Sequence, residues 1–246
     1  MDVHYNVVHH RFPKVANTFL VHRYMEILLW NSHIFRFHPQ LLSKQTTGRI
    51  KQNKMKVSVV IPVKNEPYVQ IVVEKIHNYL SEFPYEILLQ TEEGMADAVW
   101  HGIQRAKGEY IAVMDADGSH KPLDLLAMVK HLELSNVDLV LGSRRWLYHP
   151  LHRKIISLAC AWFTRHFLRL NLRDPLTTFV VGKREVVQFQ NFKGSKFTLE
   201  ILMSMPLNRV AEHFVVNEAR KEGKSKIKLI EGVYLLKQLL RLHARA

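Results

Sequence analysis

Cysteine and long apolar segments are the two features that the sequence most clearly lacks. The single cysteine, Cys160, excludes an internal disulfide and a metal site made of several thiolates. The longest uncharged apolar stretch, residues 155–163, is far shorter than the ~20 residues that a helix needs to cross a bilayer. Residues 19–30 are interrupted by charged side chains, which argues against a signal peptide. We therefore expect a cytoplasmic protein.

Acidic residues are scarce as well. The 246 residues include 22 Asp and Glu against 35 Lys and Arg, which gives a formal net charge of +13 with neutral histidines. Nucleic acid, an anionic membrane surface and phosphate-bearing substrates can all attract such a chain, and a solvated basic surface accounts for part of the excess. The sequence has no combined stacking and basic motif of the kind that recognises nucleic acid, so we expect no such partner.

The first 54 residues differ from the rest of the chain. They are rich in histidine and basic residues and contain almost no acids, and the histidines lack a metal-binding spacing. Residues 19–37 have a helical tendency, and residues 45–54 are polar and typical of a linker. We therefore predict a basic N-terminal extension (1–54), a core domain (55–228) and a C-terminal amphipathic helix (229–246).

From residue 57 onward, short apolar runs alternate with segments of helical periodicity. This alternation predicts an α/β fold with a mainly parallel sheet and helices on both faces. Gly108 is expected to cap the helix that ends beside it. The predicted strands are residues 57–63, 85–90, 110–114, 137–141 and 213–219, and the predicted helices are residues 68–83, 96–107, 123–134 and 229–242.

Two carboxylates, those of Asp115 and Asp117, directly follow the predicted strand 110–114. Ligands bind outside the carboxyl ends of the strands in an open α/β sheet, and a turn at this point can aim both carboxylates at one place. Two hard oxygen ligands suit Mg²⁺ or Mn²⁺, which are commonly held together with substrate phosphates. The alternative is that Asp115 merely ends a strand and that Asp117 opens a turn with Gly118.

Residues 146–172 mix aromatic with basic side chains. This pattern is typical of an interfacial amphipathic helix at a membrane. It fits a core helix with a solvated basic face equally well, and the sequence leaves both interpretations open.

Several separated motifs occur in a defined order along the chain. They are Val-Ser-Val-Val-Ile-Pro-Val-Lys-Asn-Glu (57–66), Ala-Val-Trp-His-Gly-Ile-Gln-Arg-Ala-Lys-Gly-Glu-Tyr (98–110), Met-Asp-Ala-Asp (114–117), Gly-Ser-Arg (142–144), Arg-Lys-Ile-Ile-Ser (153–157), Arg-Asp-Pro-Leu-Thr-Thr-Phe (173–179) and Arg-Lys-Glu-Gly-Lys-Ser-Lys (220–226). Together they resemble the inverting glycosyltransferases of family 2, and within that family the dolichyl- or polyprenyl-phosphate mannose synthases.

The resemblance covers roughly residues 56–240 and implies a Rossmann-like GT-A fold. It further implies a nucleoside-diphosphate sugar donor (GDP-mannose or a UDP-sugar), Mn²⁺ or Mg²⁺ as cofactor, and a polyprenyl or dolichyl phosphate as acceptor. The enzyme would then be cytoplasmic and peripheral on the inner face of the membrane. Mannose is the sugar that we favour.

The sequence departs from the family pattern in several places. The family's first half usually carries one more strand–helix unit, with an acidic Asp-Asp-Gly-Ser turn, so we expect a GT-A fold shortened by about one βα unit. Ser119 replaces an amide side chain that lies near the metal in the mannose synthases. The sequence also shows none of the C-terminal membrane spans that some members have.

The resemblance implies roles for individual residues. The metal would be held by Asp115, Asp117 and Ser119. The donor would contact Pro62, Lys64, Glu66, Asp115, Ala116 and Asp117, although Glu66 has an alternative role in capping a helix with Asn65. The acceptor phosphate would contact Arg144, Arg153, Ser157, Arg220 and Lys226. The residues expected to carry catalysis are Asp115, Asp117, Arg144 and Asp174.

A phosphate acceptor is largely ionised at neutral pH and needs no strong general base. No Ser-His-Asp or Cys-His arrangement is visible in the sequence. A family 2 enzyme with a hydroxyl acceptor, as in polysaccharide or glycolipid synthesis, would need a base, and Asp174 and Glu200 are the candidates. Their structural alternatives are a turn residue for Asp174 and the partner of a buried arginine for Glu200. A degenerate, inactive family member is a further alternative, and we favour it over a non-catalytic basic module.

Overall fold

The computed structural model describes residues 56–64, 66–81, 83–92, 94–145, 151–187, 196–216 and 229–244, except for the side chains of Arg145, His152, Arg153 and residues 229–231. The chain divides into two units between Asn53 and Lys54, and all described residues belong to the second unit. The predicted N-terminal extension therefore lies outside the described residues. The same is true of Asn65, Arg220 and Lys226.

Strands and helices alternate along the described chain, as the sequence predicts. The strands are β1 (Val57–Pro62), β2 (Tyr85–Gln90), β3 (Tyr110–Val113), β4 (Leu139–Arg145), β5 (Val180–Lys183) and β6 (Val210–Val216). The helices are α1 (Val69–Leu80), α2 (Met95–Arg105), α3 (Pro122–Leu134), α4 (Leu151–Phe167), α5 (Arg184–Val187), α6 (Phe197–Leu202) and α7 (Leu229–His243), with a 3₁₀ turn at Leu207–Arg209.

The strands form one sheet in the order β2-β1-β3-β5-β4-β6. Strand β1 pairs in parallel with β2 and β3, and β4 pairs in parallel with β6, whereas β5 runs antiparallel to both β3 and β4. The predicted mixed, mainly parallel sheet is thus confirmed. Because β5 is antiparallel to its neighbours, the other five strands all end at one edge of the sheet, here called the carboxyl edge. The segment that leads into β5 starts from that edge too.

One end of the sheet consists of β2 and β1, followed by β3. In the described chain, β2 is the one strand between β1 and β3, and it pairs with β1 over its whole length, from Val57 opposite Tyr85 to Pro62 opposite Gln90. The sequence likewise predicts one strand between these two. Strand β2 is therefore the direct neighbour of β1 and forms one edge of the sheet.

The sheet is covered on both faces. All residues of β1 from 57 to 61 are buried, although successive strand residues point to opposite faces. On one face, Val99 of α2 packs in the same apolar cluster as Val60 of β1. Gly102 permits this close approach of helix and sheet, because a Cβ at that position would lie 2.3 Å from Cγ1 of Val60.

The prediction that Gly108 caps a helix is wrong. Helix α2 ends at Arg105, and Ala106 already has an extended backbone with φ −63° and ψ 131°. Gly108 serves a different purpose, because a Cβ there would lie 2.5 Å from the backbone nitrogen of Ser58. Its backbone N–H donates instead to the Ser58 hydroxyl at 2.8 Å. The glycine is thus required by a close approach to β1.

Strands β4 and β6 have different bounds from those predicted. Strand β4 continues through Arg145 instead of ending at residue 141, and β6 begins at Val210 instead of residue 213. Residues 217–219 of the predicted strand lie outside the described residues. The reason is their mutual parallel ladder, which pairs Leu139 with Val210 and continues to Arg145 opposite Val216. Pairing between strands 65 or more positions apart leaves no local signal in the sequence.

Candidate active site at the carboxyl edge

The loop that follows β3 carries both acidic residues of the Asp-X-Asp motif. Its backbone turns at Gly118, which has a φ of 76° in the left-handed region that favours glycine. The backbone N–H of Ser119 donates to Oδ1 of Asp117 at 2.9 Å, so the Asp117 side chain stabilises the turn. Asp117 and Ser119 are both buried, as is Ala116 between the two acids.

Asp115 is held at both its backbone and its side chain. Its backbone N–H donates to Nδ1 of His120 at 3.0 Å. Its carboxylate accepts from the hydroxyl of Thr178, at 3.4 Å for Oδ1 and 3.3 Å for Oδ2. The Asp115 side chain remains 27% exposed, so the carboxylate can still reach a ligand from the carboxyl edge.

His120 is a buried histidine next to Asp115. Its ring is buried and stacks on Phe179, with ring centroids 4.5 Å apart and an interplanar angle of 11°. Burial lowers the pKa of the His120 imidazole, and several charged neighbours modify this pKa: it is raised by Asp115, Asp117 and Asp174 and lowered by Arg144. All four residues predicted to carry catalysis therefore lie within electrostatic range of the His120 ring.

Arg144 and Asp174 form an ion pair at the same edge. Arg144 Nε donates to Asp174 Oδ2 at 2.5 Å, and Nη2 donates to Oδ1 at 2.8 Å. The Arg144 backbone N–H also points to Asp174 Oδ2, at 3.3 Å. The side chain of Asp174 is 6% exposed and that of Arg144 is 21% exposed. Asp174 is thus occupied by an arginine and is not poised as a general base.

The predicted donor residues lie where β1 ends. Pro62 is the last residue of β1, and its backbone neighbour Val63 donates to the carbonyl of Gln90 at 2.7 Å. Lys64 is exposed and Glu66 is half-buried. The Glu66 carbonyl accepts from the N–H of Val69 at 3.3 Å, so this residue also takes part in starting α1. The structure places these residues at the carboxyl edge together with the Asp-X-Asp loop.

The predicted acceptor residues are described only in part. Arg144 lies on β4, and Ser157 is half-buried on α4. The Arg153 side chain, Arg220 and Lys226 lie outside the described residues. Strand β6 ends at the carboxyl edge with Val216, four residues before Arg220 in the sequence.

Glu200 is a structural residue. It is buried on α6, where its Oε1 accepts from Nε2 of Gln238 at 3.0 Å and from Nη2 of Arg241 at short range. Both partners belong to α7, so this cluster fastens the C-terminal helix to the core. Of the two interpretations that the sequence left open, the partner of a partly buried arginine is the one that the structure shows.

Sequence reasoning missed several residues around the site. His120 and Thr178 contact Asp115, and Glu212 accepts from the backbone N–H groups of Arg173 and Asp174 at 2.9–3.0 Å. A signal existed for His120, because it follows the Asp-X-Asp triplet after a turn. The contacts of Thr178 and Glu212 depend on strand pairing between distant segments and had no local signal.

The donor set suits a hard divalent cation. Carboxylate oxygens are the ligands that Mg²⁺ and Mn²⁺ prefer, and the partly exposed Asp115 carboxylate is anchored close to Asp117. Within the described part of the chain, no group of three or more His, Cys, Asp or Glu side chains is arranged to hold a metal on its own. Donor phosphate or water oxygens would therefore have to complete the coordination.

Comparison with known proteins places the chain in a family. The chain belongs to glycosyl transferase family 2, whose model matches residues 79–193. It is 28% identical over 214 residues to a dolichol-phosphate mannosyltransferase of Pyrococcus furiosus, an alignment that covers 71% of this chain and 60% of that protein. It is also 30% identical over 173 residues to an uncharacterized protein of Methanocaldococcus jannaschii, with 64% of this chain and 74% of the relative covered. The chain thus spans about 60% of the length of the Pyrococcus enzyme.

Solved structures confirm the fold class. The glucosyl-3-phosphoglycerate synthase of Mycobacterium tuberculosis, crystallised with Mn²⁺, UDP-glucose and phosphoglyceric acid, superposes with a TM-score of 0.62 at 17% identity. The superposition covers 77% of this chain and 80% of that structure. The protein therefore has a GT-A-like α/β fold.

Proposed function

We propose that the protein transfers a sugar from a nucleoside diphosphate to a polyprenyl or dolichyl phosphate, with inversion at the anomeric carbon and with Mn²⁺ or Mg²⁺ as cofactor. The observation that carries the proposal is the Asp-X-Asp loop at the carboxyl edge, where His120 binds the backbone of Asp115, together with Arg144, which Asp174 holds at the same edge. Two acids for a cation and an arginine for a phosphate are thus present together. The likeness to a dolichol-phosphate mannosyltransferase supports the same assignment and favours mannose.

The donor would lie between the end of β1 and the Asp-X-Asp loop. Asp115 and Asp117, with Ser119 beside them, would hold the cation, and Pro62, Lys64 and Glu66 would line the nucleotide. When bound, the cation neutralises the charge that builds on the departing diphosphate. The buried setting of the loop keeps its two acids fixed, so the protein does not have to reorganise when the donor binds.

The acceptor needs to be held rather than activated. A phosphate monoester is already anionic at neutral pH, and a guanidinium binds its oxygens through parallel N–H donors. Arg144 reaches the carboxyl edge in a fixed orientation set by Asp174. Ser157 on α4, together with Arg153, Arg220 and Lys226, would supply further phosphate contacts.

A lipid acceptor requires access to a membrane, and α4 and α7 supply a suitable surface. Most of the large exposed apolar side chains in the described chain lie on these two helices. We define the apolar face as Leu151, Ile155, Ile156, Leu158, Trp162 and Phe163 of α4 with Val233, Tyr234, Leu236 and Leu240 of α7. The two helices meet where Phe167 contacts His243, at 4.6 Å between ring centroids.

This face fits peripheral attachment to the inner face of the membrane. On α4 the stripe runs through Leu151, Ile155, Leu158 and Trp162, which is the spacing of one helix face. Helix α4 also carries the acceptor residue Ser157, so the bound surface would lie near the lipid phosphate. Among the described residues, no helix is both long and apolar enough to span a bilayer.

A hydroxyl acceptor is the second candidate, and the structure disfavours it. That chemistry needs a free carboxylate base, whereas Asp174 is paired with Arg144 and Glu200 is paired with Arg241. Both carboxylates are thus already occupied by charged hydrogen-bond donors.

The test begins with nucleotide binding. Thermal unfolding of the purified protein is measured with GDP or UDP, with and without Mn²⁺, because a ligand that binds the folded state raises Tm. Transfer is then assayed with radiolabelled GDP-mannose or UDP-glucose and a polyprenyl phosphate in detergent. We expect a Mn²⁺-dependent shift and a lipid-linked product in the wild type. The variant Asp117→Asn should lose both the Tm shift and the product, while its unfolding temperature without ligand stays that of the wild type. If the wild type forms no product with any sugar nucleotide, the proposal is overturned.

A further inference from the structure

We propose that His120 is a positioning residue, which fixes the backbone of Asp115 through its Nδ1 and thereby presents the Asp115 carboxylate to a divalent cation. This inference rests on the proposed function and names a residue to which the sequence analysis assigned no role. The observation behind it is the 3.0 Å hydrogen bond from the Asp115 N–H to His120 Nδ1.

The hydrogen bond defines the tautomer of the ring. Since Nδ1 accepts a hydrogen bond from the backbone N–H of Asp115, it carries no proton of its own, and the proton of the neutral ring is on Nε2. Nε2 lies 3.8 Å from Oδ2 of Asp115. The ring therefore binds the backbone of Asp115 through Nδ1, while Nε2 and its proton lie near the carboxylate of the same residue. A neutral ring adds no positive charge that would compete with a bound cation.

The ring itself cannot move freely. It is buried and stacked on Phe179, whose carbonyl accepts from the N–H of Gly142 at 2.8 Å. A Cβ at Gly142 would lie 2.9 Å from Cδ1 of Phe179, so that side of the stack is closely packed. His120 thus ties the Asp-X-Asp loop to β4, two residues before Arg144.

Thr178 provides a second contact to Asp115. Its hydroxyl donates to the Asp115 carboxylate, while His120 holds the Asp115 backbone. Partners that orient a metal-binding carboxylate in this way typically contribute 10- to 100-fold to metal affinity. We therefore expect His120 to act on cation binding and not only on stability.

Three variants separate the two ring nitrogens. In His120→Asn, the amide oxygen lies near the position of Nδ1 and can still accept the Asp115 N–H. In His120→Gln, the amide nitrogen lies near the position of Nε2 and can only face the carboxylate. His120→Phe keeps the stack on Phe179 and loses both contacts. The control is His131→Asn, the same change at a partly buried histidine on α3.

The readout is the Kd of Mn²⁺ in the presence of saturating GDP or UDP, measured by electron paramagnetic resonance of free Mn²⁺. Unfolding temperature without ligand is measured in parallel. We expect His120→Asn and the control to bind Mn²⁺ within about threefold of the wild type, and His120→Gln and His120→Phe to bind about tenfold more weakly or worse. If His120→Phe does not fold, the Kd values of His120→Asn and His120→Gln still decide whether Nδ1 is the nitrogen that matters for cation binding.

Two failures are distinguishable. If the wild type shows no Mn²⁺-dependent nucleotide binding, the proposed function fails and this inference fails with it. If the wild type binds, but all His120 variants bind equally tightly or the Asn variant is as weak as the Gln variant, only the role of His120 is overturned.

Discussion

The carboxylate of Asp174 holds the guanidinium of Arg144 through two parallel hydrogen bonds, of 2.5 and 2.8 Å. A bidentate pair of this kind fixes the plane of the guanidinium as well as its position. Asp174 is itself anchored, because its backbone N–H donates to Oε1 of Glu212 at 3.0 Å. Strand β6, which carries Glu212, thus supports the orientation of an arginine on β4.

Arg144 and Asp174 should therefore act as one unit. We expect Arg144→Ala and Asp174→Ala each to lower kcat/KM for polyprenyl phosphate by about tenfold or more. The double variant should be little worse than either single variant, because the effects of residues in direct contact are not additive. The measurement is the initial rate of transfer at varied acceptor concentration.

The variant Asp174→Asn separates positioning from proton transfer. Its amide oxygen can still accept one hydrogen bond from Arg144, so we expect more activity than in Asp174→Ala. A general base would be lost equally in both variants. If Asp174→Asn is as inactive as Asp174→Ala, and if the effects of Arg144→Ala and Asp174→Ala simply multiply in the double variant, then Asp174 does not act through Arg144. That result would favour a hydroxyl acceptor.

Glu200 and Arg241 connect the core to the C-terminal helix α7. The Glu200 side chain is 5% exposed and accepts hydrogen bonds from both Arg241 and Gln238. Glu200→Gln should lower the free energy of unfolding by about 1–3 kcal/mol, because Arg241 would then donate to a neutral amide oxygen instead of a charged carboxylate. Urea denaturation measures this loss.

The control for Glu200 is Glu185→Gln, the same change at an exposed position of α5, which should alter the unfolding free energy by less than about 0.5 kcal/mol. We expect kcat of Glu200→Gln to stay near that of the wild type at a temperature where the variant is folded. Loss of kcat without loss of stability would identify Glu200 as a base.

Much of the fold was predictable because its signals are local. The apolar runs at residues 57–63 and 85–90 and the proline that opens α3 specify strands and helices by themselves. The Asp-X-Asp loop was predictable for the same reason, since its acids follow a strand directly. The partners of those acids were not, because Thr178 and Asp174 reach the site only through the antiparallel insertion of β5 between β3 and β4.

A glycine illustrates the same limit. Local sequence predicts Gly108 as a helix cap, yet its role is to let the chain pass close to Ser58, fifty positions earlier. Glu200 is a second example, because its role depends on a contact with a distant helix. The sequence allowed a base or the partner of an arginine, and only the packing of α7 identified the arginine as Arg241.

Two partly buried histidines should make the stability of the protein sensitive to acid. His213 on β6 contacts His131 on α3, with ring centroids 5.9 Å apart. Burial, together with the charge of His131, lowers the pKa of His213 from 6.5 to about 4, and burial lowers the pKa of His131 as well. The unfolded state therefore binds protons between pH 6.5 and pH 4 that the folded state does not, so stability falls as pH falls through this range.

The expected loss from His213 is about 2 kcal/mol between pH 7 and pH 5. His213→Leu should flatten the pH dependence of the unfolding free energy over this interval, whereas His166→Asn, at an exposed position of α4, should leave it unchanged. The measurement is urea denaturation at a series of pH values. An identical slope in the wild type and the Leu variant would show that His213 is not the group responsible.

The apolar face of α4 and α7 should bind a membrane. Ile155 and Trp162, which are 58% and 54% exposed, lie on one side of α4, so replacing both with Asp places charge in the bilayer interface without disturbing the core. We expect this double variant to lose co-flotation with vesicles of phosphatidylcholine and phosphatidylglycerol, while its Tm stays within a few degrees of the wild type. The matched control is Leu134→Asp on α3, where the leucine is 81% exposed but lies off the apolar face; it should float like the wild type. Equal flotation of all three proteins would mean that the apolar face does not bind the membrane. In either case, the two substitutions on α4 should not affect the rate of transfer to a short-chain, water-soluble polyprenyl phosphate.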